Sequence, residues 1–214
     1  MIFKELTLNN IFSYYGPRTF KLAPPVDSDG NIVVIMGRNG FGKTSFLNSV
    51  KLLFAGVTKE LRQSVQNDRM PTEKSFVLGD KDWWGILNQK ARNEGIFNCS
   101  VSAILLDESN REIQIERKWD LQNSNYENHL TVKAPYNAPL FDEAAQQYIF
   151  SVLLPLGFMP FFFFDAEEIG HLAEANRIQL IEKMEQLLNI RSADNLKLCL
   201  KELTSKVQNE YVAK

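Results

Sequence analysis

A glycine-rich turn between an apolar run and a helix-forming segment is the feature that most constrains this chain. Residues 37 to 44 read Gly-Arg-Asn-Gly-Phe-Gly-Lys-Thr and match Gly-x-x-x-x-Gly-Lys-Thr at every position. The apolar run at residues 32 to 36 predicts a buried strand before the turn, and an amphipathic helix is expected to begin at Lys43 and to end near Gly56. This order of strand, turn and helix predicts a phosphate-binding loop.

Each part of the motif has a chemical role in such a loop. Glycines let the backbone turn tightly and direct its N–H groups at phosphate oxygens, and the following helix adds the positive end of its dipole. Lys43 can reach the β- and γ-phosphates, while the Thr44 hydroxyl is the expected Mg²⁺ ligand, so both are the predicted catalytic residues and ATP and Mg²⁺ the predicted cofactors. The predicted nucleotide-binding residues are Gly37, Arg38, Asn39, Gly40, Phe41, Gly42, Lys43, Thr44 and Ser45. The alternative, a tight turn without a ligand, is disfavoured by the complete spacing.

The composition allows a globular domain and argues against several classes of protein. The 214 residues are 44% hydrophobic, which is enough for a proper core. A net charge of −2 gives no bulk sign of nucleic-acid binding. The two cysteines lie far apart and neither histidine has neighbouring ligands, so no disulfide framework or zinc site is expected. No apolar run reaches the roughly 20 residues of a membrane span, so we expect a cytoplasmic protein without membrane contact.

Alternating segments predict a sheet around the loop. Strands are expected at residues 3 to 11, 18 to 22, 98 to 106, 111 to 119 and 127 to 133, with a turn at residues 16 and 17 between the first two. Residues 57 to 95 are polar and helix-compatible, which predicts a helical insertion. Its Trp83 and Trp84 are expected to be packing anchors rather than surfaces for ligand stacking. Residues 139 to 154 predict a further helix.

Two acidic residues after an apolar run, Asp107 and Glu108, imitate the Asp-Glu motif that holds Mg²⁺ and water in many ATPases. The alternative is that they open a hairpin turn, because residues 108 to 111 lead directly into a matching strand. A metal-binding pair normally closes a core parallel strand. We therefore expect a hairpin turn at this position.

A second acidic segment follows four consecutive phenylalanines at residues 161 to 164. The run predicts a strand buried on both faces, whose end would bring Asp165 and Glu167 towards nucleotide and Mg²⁺. The alternative is an N-terminal cap for the next helix, since Glu168 stands three residues after Asp165. Both roles are compatible with each other.

The last part of the chain reads as helix. A stripe of apolar residues predicts a helix over residues 169 to 188, and Ser192 can cap another. The second helix carries Leu196, Leu200, Leu203, Val207 and Tyr211 at steps of three and four, as at the start of a coiled coil. The sequence thus predicts a lobe over residues 1 to 168, with its insertion at about 57 to 95, and helices over 169 to 214 that lead into a coiled-coil arm.

This order of parts resembles the N-terminal lobe of ABC-type ATPase heads of the SMC/RecF class, which includes the double-strand-break-repair ATPases with long coiled-coil arms. Asn39 within the loop and the opening Leu-Asn-Asn-Ile-Phe-Ser-Tyr at residues 8 to 14 are typical of that class. Within the class, residues 154 to 155, 162 to 169 and 187 to 190 are most similar to the DndD family, the ATPases of bacterial DNA phosphorothioate modification and its associated defence systems. Many class members carry Arg where Phe12 stands.

The resemblance implies an α/β P-loop NTPase fold with a mixed β-sheet, a helical insertion and the start of a coiled coil. It implies that ATP binding, and hydrolysis together with a C-terminal lobe and a second head, drive a conformational change in a DNA-associated bacterial system. The implied partners are that lobe or a second head dimerised through ATP, DNA, and other proteins of the modification or defence system. The glutamine of the class that touches Mg²⁺ is absent, so its role is carried over to Asp165 or Glu167.

Two further motifs of the class indicate whether an ATPase active site is complete. A Ser-Gly-Gly signature and a late apolar strand ending in Asp-Glu complete its active site, and neither is found convincingly here. We therefore expect this chain to be an N-terminal lobe that is incomplete for hydrolysis alone. The alternatives are a self-contained small P-loop NTPase or kinase that uses Asp165 or Asp107 for Mg²⁺, a double-strand-break-repair-type SMC ATPase, and a non-catalytic nucleotide-dependent DNA-binding module. The basic residues that could contact DNA are scattered, and an ordinary solvated surface explains them at least as well. These residues are Lys59, Arg62, Arg69, Lys74, Arg111, Arg117 and Lys118.

Overall fold

The computed structural model describes residues 1–23, 32–64, 70–81, 83–122, 126–155 and 159–163. The chain divides into two compact units, Met1–Met159 and Pro160–Lys214. The predicted boundary at residue 168, the helices after it and the coiled coil lie outside the described residues, as do Asp165 and Glu167.

A six-stranded antiparallel sheet forms the first unit, with the strand order β2-β1-β3-β4-β5-β6. The strands are β1 Ile2–Ile11, β2 Tyr14–Lys21, β3 Asn98–Leu106, β4 Glu112–Asp120, β5 Glu127–Lys133 and β6 Leu140–Phe141. Every second residue of β3 from Cys99 to Leu105 is buried, because successive side chains of a strand point to opposite faces. The alternation in the sequence therefore predicts these strands correctly, although β2 begins earlier than expected.

Six α-helices and one π-helical turn accompany the sheet in the described residues. They are α1 Lys43–Ala55, α2 Lys59–Gln63, α3 Glu73–Leu78, α4 Gln89–Asn93, α5 Asp142–Tyr148, the π-helical turn Ile149–Leu153 and α6 Met159–Phe162. Helix α1 packs on the sheet through the fully buried Leu52, Leu53 and Phe54 and ends at Gly56, whose φ is 70° and whose N–H donates to the Leu52 carbonyl. None of the described helices combines the length and apolarity that crossing a bilayer requires.

Three short helices lie within the predicted insertion. Helices α2, α3 and α4 each begin at a side chain that accepts a backbone N–H: Thr58, Thr72 and Asn88 respectively. Their buried residues include Leu61, Phe76 and Ala91. The insertion therefore buries apolar side chains despite its polar composition.

The hairpin predicted at Asp107 is also confirmed. Its carboxylate accepts the backbone N–H groups of Ser109 and Arg111 and pairs with the Arg111 guanidinium at 2.7 Å. These contacts hold the pKa of Asp107 below its usual value, the backbone hydrogen bond from Arg111 contributing most.

The strand predicted at residues 32 to 36 is not formed. The segment is irregular, and its five apolar side chains are 39% to 88% exposed. A strand requires a neighbour to complete its hydrogen bonds, and no strand of the described residues pairs with this segment. The mixed sheet that the sequence predicts is therefore observed only in its antiparallel part.

Two smaller predictions are wrong. The turn expected at Gly16 and Pro17 lies within β2, where Pro17 pairs with Asn9 on an edge strand that tolerates a missing N–H. The turn lies four residues earlier, at Phe12 and Ser13. Part of the phenylalanine run is helical, since α6 covers Met159–Phe162, and Phe162 is 62% exposed. A short apolar run does not distinguish strand from helix, and Pro160 is compatible with the first turn of a helix.

Candidate phosphate-binding site

The backbone of residues 37 to 44 adopts the conformation that its glycines allow. Gly40 and Gly42 have φ values of 82° and 89°, in the left-handed region that other residues rarely enter. The Phe41 N–H donates to the Arg38 carbonyl at 3.2 Å, and Gly42 caps α1, accepting the Phe46 N–H at 2.8 Å. The loop therefore leads directly into the N-terminus of a 13-residue helix, where the first N–H groups have no acceptor within the helix.

The Lys43 side chain folds back over this loop. Its Nζ donates to the Gly37 carbonyl at 2.7 Å and to the Arg38 carbonyl at 3.1 Å. Lys43 and Thr44 are both exposed, so the ammonium and the hydroxyl are accessible together at the start of α1. A phosphate that entered the loop would offer the ammonium stronger, charged acceptors than the two carbonyls it now contacts.

The turn between β1 and β2 braces the loop from one side. The Tyr14 hydroxyl donates to the Gly42 carbonyl at 3.0 Å, and the Ser13 and Ser45 hydroxyl oxygens lie 2.8 Å apart. A Cβ at Gly42 would meet the Ser13 Cβ and the Tyr14 hydroxyl, both at 3.3 Å. Partial burial raises the pKa of Tyr14, which keeps its hydroxyl a donor. No individual role was predicted for Ser13 or Tyr14, although both belong to the opening segment typical of the SMC/RecF class.

The same turn is tied to the helical insertion. Phe12 has a φ of 47°, and its N–H donates to the Ile86 carbonyl at 2.7 Å. The Asn88 amide donates to the Phe12 carbonyl at 2.8 Å, and the Asn88 N–H donates to the Asn10 carbonyl at 2.9 Å. The insertion therefore fixes the turn between β1 and β2, and that turn braces the glycine-rich loop. No local sequence pattern indicates these contacts.

A cavity of about 370 Å³ lies where the turn, α1 and the insertion meet. Its lining residues are Phe12, Ser13, Ser45, Trp83, Trp84, Gly85, Leu87, Asn88 and Gln89. Trp83 is a packing anchor as predicted, because its Nε1 donates to the Phe76 carbonyl at 2.7 Å and its ring stacks on Phe76 at 5.7 Å. Trp84 is 66% exposed, so the same prediction is wrong for it.

A family model described as an AAA domain matches residues 5 to 212 of this chain. The chain belongs to the AAA domain family. The match covers the glycine-rich loop and the sheet except for the first residues of β1. It supports an α/β ATPase fold, nucleotide binding and ATPase activity, with ATP and Mg²⁺ as the general cofactors of such domains. A search of curated proteins finds no match.

The acidic pair at Asp107 lies far from the glycine-rich loop of this AAA domain. Leu106, the residue before Asp107, pairs with Ile2 at the start of β1, whereas Ser13 follows the other end of β1. Ten residues of strand separate these positions by about 30 Å. Asp107 is therefore excluded as a ligand for a metal at Thr44. No group of three or more His, Cys, Asp or Glu side chains suited to a metal occurs in the described part of the domain.

Helix α1 of the AAA domain is fixed at its other end by Arg117. This side chain is only 4% exposed, and its guanidinium donates to the Leu53 carbonyl and to the Gln146 side chain. Gln146 in turn donates to the Phe54 carbonyl at 2.8 Å. Burial lowers the pKa of Arg117 to about 10. Arg117 was one of the candidates for DNA contact on a charged surface, but its burial excludes it from that surface.

Proposed function

We propose that this AAA domain binds ATP and Mg²⁺ at residues 37 to 45 and serves as the N-terminal lobe of an ABC-type ATPase head of the SMC/RecF class. One observation carries the proposal: an exposed lysine lies over a glycine loop whose conformation leads into the N-terminus of α1. Backbone N–H groups and a mobile cation are thereby collected at one point, which is the chemistry that binds polyphosphate.

The groups of the loop have different roles in phosphoryl transfer. Backbone N–H groups position the phosphates, Lys43 stabilises the charge on the β- and γ-phosphates, and Thr44 contributes its hydroxyl to Mg²⁺. The metal would withdraw electron density from the phosphate oxygens. We assign the further metal roles of Asp165 and Glu167 on the resemblance alone.

We further propose that hydrolysis requires a C-terminal lobe of the same protein or a second head. Two observations support this. The apolar segment at residues 32 to 36 is exposed beside the loop, so a strand from another lobe would find both apolar and backbone partners there. Within the described residues, no acidic cluster stands ready to position water or metal. ATP-dependent closure and opening of such heads would transmit a conformational change to an arm.

The DNA-associated role, in phosphorothioate modification or a related defence system, is proposed from the similarity to the DndD family. DNA and other proteins of that system are the proposed partners. ATPase activity of a complex with the partner lobe, measured with and without duplex DNA, tests this part. Stimulation by DNA supports it, and equal rates under both conditions contradict it.

Calorimetric titration of the chain with Mg²⁺ and ATP tests the binding site. Lys43→Ala should abolish the binding of ATP, because it removes the cation that meets the β- and γ-phosphates. The matched control is Lys133→Ala, which removes an exposed lysine from β5 and should leave the affinity unchanged. Near-wild-type affinity in Lys43→Ala would disprove the assignment of this loop.

A further inference from the structure

We propose that the cavity beside Ser45 receives the adenine base of the bound nucleotide and that the Trp84 indole is the surface on which the base stacks. The inference rests on the proposed function, because it assumes that the phosphates lie at residues 37 to 45. It adds to that function a residue that recognises the base rather than the phosphates.

The position of the cavity follows the order of groups along a nucleotide. Lys43 and Thr44 would hold the β- and γ-phosphates and Mg²⁺, so the α-phosphate and ribose leave the loop beside the next residue, Ser45. Ser45 lines the cavity, and its hydroxyl lies 2.8 Å from that of Ser13, another lining residue. A volume of about 370 Å³ falls in the range of about 300 to 1,000 Å³ that ligand pockets occupy.

The two neighbouring tryptophans have different environments. Trp83 is held by its hydrogen bond to the Phe76 carbonyl and by stacking on the Phe76 ring, and it contacts Phe12 at 6.4 Å between ring centroids. Trp84 lines the cavity and is 66% exposed. Burying a large aromatic surface is favourable, and an aromatic side chain facing a pocket offers a flat surface to a base. Trp84 therefore has the chemistry of a stacking residue.

Hydrogen bonds and close backbone contacts surround the Trp84 backbone. Gly79 and Gly85 have φ values of 91° and 78°, and a Cβ at either would approach backbone atoms to 2.8 Å or less. The Arg92 guanidinium donates to the Trp84 carbonyl at 3.3 Å, and the Ile86 N–H donates to the Val77 carbonyl at 3.1 Å. These contacts restrict the backbone on both sides of Trp84, which lowers the conformational entropy that is lost when a base binds.

Two side-chain amides line the cavity, those of Asn88 and Gln89. The Asn88 amide makes hydrogen bonds within the protein, whereas the Gln89 side chain is exposed. Asn88 uses its Nδ2 on the Phe12 carbonyl and its Oδ1 on the N–H groups of Lys90 and Ala91. Gln89 is exposed at the cavity and carries both donors and an acceptor in its side-chain amide. Such an amide matches the donor and acceptor pair on the edge of adenine.

Calorimetric titrations with Mg²⁺-ATP and with Mg²⁺ and inorganic triphosphate separate the base from the phosphates. Trp84→Ala should lower the affinity for ATP about tenfold, within the range expected for stacking of a base on an aromatic residue, and leave that for triphosphate unchanged. Trp84→Phe should retain most of the ATP affinity. Tyr136→Ala is the control, because it removes a 90% exposed aromatic residue beyond β5, towards the opposite edge of the sheet from the cavity.

Several results would overturn the inference. It fails if Trp84→Ala leaves the ATP affinity unchanged, or if it weakens ATP and triphosphate equally. It also fails if wild-type protein binds triphosphate as tightly as ATP, a result that leaves the phosphate loop assignment intact. If wild-type protein binds neither ligand, the proposed function fails and this inference fails with it.

Tryptophan fluorescence gives a second readout that a merely structural role would not change. The chain has three tryptophans, and Trp119 is 1% exposed. ATP should therefore quench the emission of the exposed Trp84, whereas triphosphate should not. In Trp84→Phe the quenching by ATP should disappear while ATP binding persists. Because Trp83 also lines the cavity, the same titration is made in Trp83→Phe, which should keep the quenching. If quenching survives Trp84→Phe undiminished, the stacking of the base on Trp84 is disproved.

Discussion

The two ends of α1 are held in opposite ways. At the N-terminal end the loop is exposed, and its main braces are single hydrogen bonds from Tyr14 and between Ser13 and Ser45. At the C-terminal end a buried guanidinium and the Gln146 amide occupy the last carbonyls of the helix. The C-terminal end of α1 therefore fixes the helix on the sheet, while the N-terminal end keeps its polar groups accessible to a ligand.

The strongest test removes the buried anchor. Arg117→Ala should lower the free energy of unfolding by about 3 kcal/mol, because it leaves the Leu53 carbonyl and the Gln146 amide oxygen without their charged donor in the core. Urea unfolding at neutral pH measures the loss. Fluorescence titration below the unfolding transition should give an unchanged affinity for ATP. A large loss of ATP affinity in the folded variant would show that the contacts at the C-terminal end of α1 also affect nucleotide binding at its N-terminal end.

The control for this test keeps the charge. Arg117→Lys should recover only part of the stability, since an ammonium cannot reproduce the forked geometry of the guanidinium. If Arg117→Lys is as stable as wild type, one charge in the core is sufficient, and the forked contact to Leu53 and Gln146 is unimportant.

A pair of glycine substitutions tests the exposed end. Gly42→Ala should cost about 2 kcal/mol of stability and at least about tenfold in ATP affinity, because its φ of 89° is strained for alanine and its Cβ would displace Ser13 and Tyr14. Gly40→Ala shares the strain, with a φ of 82°, but its Cβ would meet nothing within 4 Å. Its loss of affinity should be smaller. Thermal melting and calorimetry measure both, and equal losses would show that the brace has no part in binding.

Local patterns predicted the parts of this molecule that local contacts determine. The alternation of β3 and β4 requires only a neighbour from the same hairpin, and the spacing from Gly37 to Thr44 defines a turn whose glycines indeed have the conformations needed. The irregular conformation of residues 32 to 36 was not predictable in this way, because a strand there depends on a partner strand that the local sequence does not reveal. The role of Asn88 also escaped prediction, since its contact with Phe12 spans 76 positions in the chain.

A smaller effect is expected from the brace itself. Tyr14→Phe removes the hydroxyl that donates to the Gly42 carbonyl and keeps the ring that packs on Phe20 at 5.7 Å. The loss should be about 1 kcal/mol of stability, the usual worth of one hydrogen bond. ATP affinity should fall by a few-fold, because the loop would be less ordered before binding. An unchanged affinity would mean that the ligand alone orders the loop.

The smallest effect is expected at the far end of the sheet, where Asp107 supports a turn and no ligand. Its pKa is lowered in the folded chain, so its contribution to stability is present above the ordinary aspartate pKa of about 3.9 and is lost as the pH falls through the lower folded value. Asp107→Asn should lower the melting temperature slightly at pH 7, and the difference from wild type should shrink below pH 4. Thermal melts across this range measure it. ATP affinity should not change, and a decrease would contradict the separation of about 30 Å from the phosphate loop.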